Sequence, residues 1–209
     1  MKKIIILSAV FFISFIIFCI IKFPASVALN LAKPYFPKQL EVGQTIGTVW
    51  QGHMMQVRFN GEQFNNVHWD IAGWSLFTGN INANIKFGNA RERADISGYG
   101  DISYGLFTHN VKVSKVLVRS SVERAMQRIQ LPLPVNAKGR VILKLDEFSS
   151  GAPYCDTLKG EIASPNIDVQ GSNGWFNIGP LAGTLSCKSG DVAILIDPDN
   201  LAYQPKALC

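Results

Sequence analysis

Charge is scarce in this chain of 209 residues, of which Asp, Glu, Lys and Arg make up only 17%. The 20 basic residues exceed the 15 acidic ones, so the formal net charge at pH 7 is +5. The basic residues are scattered and form no run of the kind that binds a nucleic-acid backbone. The composition therefore predicts that no nucleic acid is among the partners of this chain.

The sequence also lacks the motifs of the common enzyme classes. It contains no G-x-S-x-G nucleophile elbow, no G-x-x-x-x-G-K-[ST] phosphate loop and no H-E-x-x-H zinc motif. The spacing of its three histidines matches no metal site: His53, His68 and His109. Two pairs of aspartates are close in sequence and are typical of solvated strands and turns: Asp95 with Asp101, and Asp197 with Asp199. The sequence predicts that the chain is not an enzyme and holds no cofactor or metal.

Cysteine is equally sparse, with four residues in the chain: Cys19, Cys155, Cys187 and Cys209. Their spacing fits no zinc site, and there is no C-x-x-C motif. If the C-terminal part is exported, its compartment is oxidising. We then predict a disulfide between Cys155 and Cys187, which leaves Cys209 free. The alternative is that all three thiols in this part are reduced and inert.

One long apolar run stands at the start of the chain. Residues Ile4 to Ile21 contain no charge, no proline and no glycine; Lys2 and Lys3 precede them and Lys22 follows. As a helix rising about 1.5 Å per residue, the run is roughly 27 Å long, close to the ~30 Å hydrocarbon core of a bilayer. It predicts an uncleaved transmembrane signal anchor with a cytoplasmic N-terminus.

Three alternatives exist for this run. A cleaved signal peptide would use Ser26 and Ala28 as its −3 and −1 positions, although its apolar region is normally only about 7–15 residues long. A lipoprotein would be modified at Cys19, but bulky Phe18 stands where a small residue is expected. A buried helix of a soluble protein would be shorter and less uniformly apolar. Lysines near the two ends roughly balance, so the predicted orientation depends on the short N-terminal tail.

The rest of the chain is long enough for one domain with a proper core or for two small ones. We divide the chain into three parts: a transmembrane signal anchor at residues 1–22, a juxtamembrane connector at 23–42 and a β-rich periplasmic domain at 43–209. Within the connector, the segment from Val27 to Lys33 is predicted to extend the anchor helix. Pro34 and Pro37 end it, because proline cannot continue a helix.

From Gly43 onwards, apolar and polar residues alternate with a period of two, which is typical of half-buried strands. Asn60-Gly61 indicates a tight hairpin turn. Further strands are predicted by the same pattern, among them Ile46 to Trp50, Ile81 to Phe87, Ala94 to Tyr104, Leu106 to Arg119 and Val192 to Ile196. Roughly eleven strands with short connections predict a mainly β domain with an antiparallel sheet.

One short helix interrupts the predicted strands. Ser120 and Glu123 fit a capping box. Four apolar residues then share one helical face: Val122, Ala125, Met126 and Ile129. Leu131-Pro132-Leu133-Pro134 ends the helix. We interpret it as a cover over the core or over an open end of the sheet; the alternative is an interfacial membrane helix with Arg124 and Arg128 towards lipid headgroups.

The four tryptophans of the chain allow two interpretations. They either fill the core of the domain or line a groove in it: Trp50, Trp69, Trp74 and Trp175. Large aromatic side chains more often fill a core, because burying them removes much apolar area from water.

Several short segments follow the anchor in a characteristic order: Gly47-Thr48-Val49-Trp50-Gln51-Gly52, Val67-His68-Trp69, Leu76 to Gly79, Leu131-Pro132-Leu133-Pro134, Gly139-Arg140, Cys155 with Gly160, and Leu185-Ser186-Cys187 with Gly190. Together they extend over nearly the whole chain. This ordered set resembles the type II secretion system protein N family of Gram-negative bacteria.

The resemblance implies a bitopic inner-membrane protein with a periplasmic domain. Such a protein would be an accessory component of the machinery that exports folded proteins through the outer membrane, with other subunits of that machinery as partners. The family supplies no catalytic residues. The resemblance also implies a likeness, at fold level, to groove-like β-sheets of envelope proteins that handle lipid. Two alternatives therefore stand beside secretion: an anchored protein whose β groove binds or transfers lipid or another apolar ligand, and an envelope hydrolase.

Overall fold

The computed structural model describes residues 2–89, 92, 95–126, 136–171 and 174–196. The helices in these ranges are α1 (Lys2–Ile21), α2 (Ala25–Ala32) and α3 (Val122–Met126). Two 3₁₀ segments occur in the same part of the chain, Lys33–Tyr35 and Gly73–Thr78.

Thirteen strands of the described residues form one sheet. Their bounds are β1 (Leu40–Val42), β2 (Thr45–Gly47), β3 (Gln51–Phe59), β4 (Glu62–Ile71), β5 (Asn80–Phe87), β6 (Ser97–Gly105), β7 (Val111–Ser121), β8 (Ala137–Ser149), β9 (Thr157–Ser164), β10 (Ile167–Gly171), β11 (Gly174–Asn177), β12 (Leu181–Lys188) and β13 (Asp191–Ile196). The main path runs β1-β3-β4-β5-β6-β7-β8-β9-β12-β13, and all strand pairs in it are antiparallel. The predicted mainly β fold with an antiparallel sheet and one short helix in the domain is confirmed.

Helix α1 carries the apolar run. Lys3–Ile21 is long and apolar enough to cross a membrane, and its apolar stretch is not buried against the rest of the described protein. The helix ends before Pro24, which has no backbone N–H and disfavours helical geometry in the residue before it. Helix α2 then begins at Ala25, so the predicted extension of the anchor helix through Val27 to Lys33 is wrong: these residues belong to a separate helix and the 3₁₀ turn after it.

The strand register gives the sheet one apolar and one polar face. An apolar row crosses six neighbouring strands: Ile71, Ala83, Ile102, Val113, Phe148 and Leu158. The row immediately beside it points to the opposite face and is polar: Asp70, Asn84, Asp101, Ser114, Glu147 and Lys159. We call the surface that carries the first row the apolar face and the other the polar face.

Little of the apolar face is fully buried. Six apolar residues of the described chain are almost inaccessible to solvent: Ala25, Val122, Ala137, Cys155, Leu158 and Leu185. At one end, Leu29 and Phe36 line an open recess of about 430 Å³ together with apolar strand residues such as Val67. At another place, Val122 of α3 packs beside Gly139. Since all described strands belong to a single sheet, no second sheet of this part covers the apolar face.

Several predicted strand boundaries are corrected. Strand β2 ends at Gly47 and β3 begins at Gln51, so Thr48 to Trp50 form a turn instead of the end of the predicted strand. Strand β7 begins at Val111, and the preceding residues 106–110 form a hairpin turn. The hairpin turn at Asn60-Gly61 is confirmed, with φ angles of 50° and 81° that suit a two-residue turn.

The capping residue of α3 also differs from the prediction. Strand β7 continues through Ser120, and Ser121 instead accepts a hydrogen bond from the Arg124 N–H at 3.3 Å. Val122 is only 5% exposed, so the helix packs onto the sheet as its interpretation as a cover requires. Ile129 and Leu131-Pro132-Leu133-Pro134 lie outside the described residues.

Candidate functional site at the helix–sheet junction

The turn between β2 and β3 joins the sheet to the end of α1. The indole Nε1–H of Trp50 donates to the carbonyl oxygen of Ile20 at 2.8 Å. The last carbonyls of a helix lack partners within it. That of Ile20 accepts from Trp50 and, at 3.4 Å, also from the Phe23 N–H. The Val49 N–H donates to the Phe23 carbonyl at 3.0 Å, and Pro24 forms an antiparallel bridge with Thr48. We call this set of contacts the junction.

A second group of hydrogen bonds fixes the junction turn to β4. The Trp69 indole donates to the Val49 carbonyl at 3.0 Å. The Ile71 N–H donates to the Trp50 carbonyl at 2.6 Å, and the Gln51 N–H donates to Thr48 Oγ1 at 3.2 Å. The same turn therefore binds the helix on one side and a central strand on the other, which fixes the two elements relative to each other.

Gly52 has a steric role in this arrangement. A Cβ atom at this position would lie 2.5 Å from the ring of Trp69 and 2.6 Å from the Ile46 carbonyl oxygen. Real Cβ atoms do not approach other atoms so closely, so a larger residue would displace the Trp69 ring that holds Val49. Gly47 stands at the other end of the turn, where β2 ends.

Beside the junction lies the 3₁₀ segment Gly73–Thr78, which we call the aromatic turn. Its Trp74 and Phe77 side chains are 82% and 85% exposed, and their ring centroids are 5.7 Å apart. The exposure does not come from loose packing of the turn. The buried Ser75 hydroxyl donates to the Ala72 carbonyl at 2.6 Å and accepts from the Asn82 N–H at 3.1 Å.

Gly79 ends the aromatic turn and admits a third aromatic ring. Its φ angle is 72°, a left-handed conformation that glycine adopts without strain. A Cβ atom there would lie 2.5 Å from the ring of Phe107, which belongs to the hairpin turn between β6 and β7 and is 85% exposed. The lack of a side chain at Gly79 therefore lets the Phe107 ring lie against the backbone beside the aromatic turn.

A cleft of about 900 Å³ separates α1 from the aromatic turn. Its helix side is formed by Ile17, Ile20 and Ile21, and Trp50 and the aromatic turn form the rest of its apolar wall. Lys22 also lines it.

Other predicted site residues lie elsewhere. Gly139 and Arg140 are near the start of β8, where Arg140 pairs with Ser121 of β7 beside α3. Of the motif residues, Gly47 to Gly52 and Trp69 meet at the junction and Gly79 lies at the neighbouring turn, whereas Gly139 and Arg140 are not part of that region.

The predicted disulfide between Cys155 and Cys187 is confirmed. Their Cα atoms are 6.1 Å apart, and the bond ties the segment before β9 to the end of β12. Cys155 is only 1% exposed. Cys19 is an exposed free thiol of α1, and Cys209 lies outside the described residues.

The described histidines and aspartates of the sequence analysis lie at separate places in the sheet and its turns. His53 and His68 stack with ring centroids 5.3 Å apart on β3 and β4, while His109 lies at the turn after β6. Asp95 and Asp101 each accept hydrogen bonds from an asparagine amide. Within the described ranges, no group of three or more His, Cys, Asp or Glu residues could hold a metal. Asp197 and Asp199 lie outside those ranges.

Sequence reasoning missed the junction and the aromatic turn. The alternation pattern predicts Trp50 within a strand, and the sequence distinguishes Trp74 in no way from the other tryptophans that fill a core or line a groove. None of the four is fully buried; Trp50 and Trp69 are half-buried, and Trp175 is 44% exposed. A signal was present in Gly73–Thr78, because its neighbouring aromatic and aliphatic residues follow no two-residue period.

Comparisons with known proteins identify similar sequences. A family model described as Type II secretion system (T2SS), protein N, matches residues 38–205. A type II secretion system protein N of Aeromonas hydrophila is 26% identical over 193 residues, covering 90% of this chain and 72% of that protein. The protein of the same name from Vibrio cholerae is 26% identical over 175 residues, covering 84% and 68%. No solved structure matches the chain.

Proposed function

This chain belongs to the type II secretion system protein N family, and we propose that it is an accessory inner-membrane component of that system. In this role it supports the export of folded proteins across the outer membrane. Helix α1 crosses the inner membrane once with its N-terminus in the cytoplasm, and the sheet stands in the periplasm. Its partners are other subunits of the secretion system.

The observation that carries this proposal is the junction. A flexible tether would let the sheet take any orientation. Here Trp50 binds Ile20 in the last turn of α1, and Val49 binds Phe23, two residues after the helix ends. The sheet is thus presented to neighbouring subunits from a fixed position at the membrane. Tethering also raises its effective concentration towards other membrane subunits.

We propose that the protein acts by binding and not by catalysis. The polar face pairs its carboxylates with amides and with lysines, as in the contact of Lys159 with Glu147 at 3.8 Å. Strand edges and loops of a β domain commonly bind other chains, and they require no reactive group. This form of action agrees with an accessory role in an assembly.

The proposal is tested in a strain that lacks this gene and carries a secreted reporter enzyme. We expect the enzyme to accumulate in the periplasm, and the wild-type chain to restore its secretion. A Trp50→Ala chain removes the contact with Ile20 and should restore secretion less well. The matched control is Trp175→Ala, whose side chain is on the distant β11 and should restore it fully. Normal secretion in the deletion strain would contradict the proposal.

The apolar face favours a second candidate function, the binding or transfer of lipid. Its row from Ile71 to Leu158 crosses six strands without a polar side chain. Phe36 and Leu29 of α2 line only the open recess at one end of the sheet. The side chains of this row are half-buried, except for the buried Leu158. Apolar surface that stays partly open to solvent commonly marks a binding site. The ligand would be a lipid chain lying along the face.

Lipid binding is tested by purification from membranes in mild detergent and mass spectrometry of the lipids that remain bound. Val113→Asp places a charge on the apolar face, and Ser114→Asp places the same charge on the polar face as the control. We expect only the first variant to lose bound lipid. Equal lipid content in both, with equal thermal stability, would argue against this candidate. Altered outer-membrane lipid with normal secretion in the deletion strain would favour it over the secretion role.

A further inference from the structure

We propose that the aromatic turn inserts into the membrane leaflet from which α1 emerges, and that the cleft between them holds an acyl chain of a phospholipid of that leaflet. This inference rests on the membrane-spanning part of the proposed function, and it is independent of any role in secretion. It assigns a second membrane contact to a domain that is otherwise attached by α1 alone.

The depth of the cleft follows from the helix that forms its wall. Lys3–Ile21 is the segment that is apolar and long enough to cross a bilayer, so Ile21 lies at the boundary of the hydrocarbon. Ile17 is four residues earlier, which places it about 6 Å below that boundary at 1.5 Å per residue. Both residues line the cleft together with Trp74 and Phe77. The aromatic turn therefore stands opposite a part of α1 that is inside the membrane.

The chemistry of the turn suits this depth. Trp74 and Phe77 expose more than four-fifths of their surface, and Phe107 extends the same apolar surface past Gly79. In water such a patch would be unfavourable, whereas indole and phenyl rings are favoured where headgroups meet acyl chains. Interfacial elements bury their apolar side about 5–10 Å into this zone, a range that includes the depth of Ile17.

The junction explains why this geometry persists. The Trp50 side chain binds the last turn of α1 and also lines the cleft. The Trp50 carbonyl accepts a hydrogen bond from the N–H of Ile71, which lies just before the aromatic turn. The helix, the junction and the turn therefore keep their spacing. A gap between apolar walls at membrane depth is filled by lipid, because neither water nor an empty space is favourable there.

Lys22 supplies the polar end of the site. It follows the apolar run directly and lines the same cleft. A lysine beside the end of a membrane helix directs its ammonium group to the headgroups. A phospholipid whose chain fills the cleft thus has a cation available for its phosphate. Free phosphate in solution could also bind Lys22, but only a lipid has an acyl chain that fills the apolar cleft.

Insertion is tested with the full chain in vesicles of phosphatidylethanolamine and phosphatidylglycerol. Cys19→Ser and Cys209→Ser remove the thiols outside the disulfide, and Phe77→Cys is then labelled with an environment-sensitive fluorophore. The control is Phe176→Cys, which labels an exposed phenylalanine of β11 away from the junction. The lipids carry nitroxide groups, which quench the fluorophore, on their acyl chains close to the headgroups. At position 77 we expect the emission maximum of the fluorophore to shift to the blue and the nitroxide lipids to quench most of its emission. At position 176 we expect neither effect.

The occupant of the cleft is tested with a phospholipid that carries a photoreactive diazirine on its acyl chain. After irradiation, peptide mapping should find adducts on Gly47 to Gln51 and on the aromatic turn as well as on α1. Phe77→Glu should reduce the adducts on the aromatic turn and leave those on α1 unchanged. Addition of inorganic phosphate should have no effect, since free phosphate supplies no chain.

Two results would overturn the inference. An unquenched label at position 77 would show that the aromatic turn stays in water, where it is available to a protein partner. Adducts on α1 alone would show that the cleft holds no acyl chain. Adducts missing from α1 as well would instead contradict the membrane placement in the proposed function. Intact proteins in each arm are recognised by an unchanged Cys155–Cys187 disulfide and an unchanged thermal unfolding midpoint.

Discussion

Gly52 illustrates how a single missing side chain determines the local packing. The Trp69 ring occupies the space that a Cβ atom of residue 52 would need, and its indole holds the carbonyl of Val49. Val49 in turn donates to Phe23 after α1. The position of one glycine is therefore coupled through three residues to the attachment of the helix.

We predict that Gly52→Ala destabilises the protein by about 1–3 kcal/mol, because the added methyl group forces the Trp69 ring away. Gly73→Ala is the control, since its Cβ atom would lie no closer than 3.7 Å to Trp50. The free energy of unfolding of both full-length variants is measured in detergent by urea titration and tryptophan fluorescence. Equal free energies of unfolding for the two variants would show that the Trp69 ring can move aside without destabilising the protein.

At the scale of elements, the break at Pro24 matters as much as the helices beside it. Had α1 continued into α2, the residues that follow the membrane would project away from the sheet. Instead Phe23 and Pro24 bind the junction turn, and Ala25 is buried, 3% exposed. The chain direction changes within three residues, so the sheet lies next to the end of α1.

The disulfide stabilises the last strands of the described sheet. Replacing Cys155 and Cys187 by serine should lower the free energy of unfolding by about 3–4 kcal/mol, since the bond closes a loop of 32 residues in sequence separation. Thermal unfolding of the double variant is compared with that of the wild type and of Cys19→Ser. The Cys19→Ser chain should unfold like the wild type, because that thiol is free. An unchanged midpoint in the double variant would show that β9 and β12 need no covalent link.

At the scale of the whole molecule, the described residues place a membrane-spanning candidate and one sheet on either side of the junction. The ends of β4 and β6 and the starts of β3, β5 and β7 all lie on the side of the junction and the aromatic turn. These five strands therefore turn the same end towards the membrane if α1 crosses it.

We predict that the anchor remains attached and that the C-terminal part is periplasmic. A reporter enzyme that is active only outside the cytoplasm is fused after Cys209. Its activity should appear in the membrane fraction, because the apolar segment Lys3–Ile21 is long enough to span. Activity in the soluble periplasm would indicate cleavage after Ala28, and no activity would indicate the opposite orientation.

The sequence by itself determined the features that depend on neighbouring residues. Uniform apolar composition identified the helix from Ile4 to Ile21, and the two-residue period identified strands such as Ile81 to Phe87. Asn60-Gly61 marked the hairpin between β3 and β4. Each of these features is set by the local preferences of backbone and side chains, so a short segment of sequence is enough to predict it. The mainly β class followed from their sum.

Only the tertiary structure decided how these elements meet. Trp50 fits a strand pattern, yet a hydrogen bond to Ile20, thirty positions earlier, places it in a turn. Strand register likewise aligned Ile102 with Val113 and Asp101 with Ser114, which separated the apolar from the polar face. These outcomes depend on contacts between residues far apart in the chain, whose energies no local pattern contains. A shift of register by one residue would have exchanged the two faces, because successive side chains of a strand point to opposite sides.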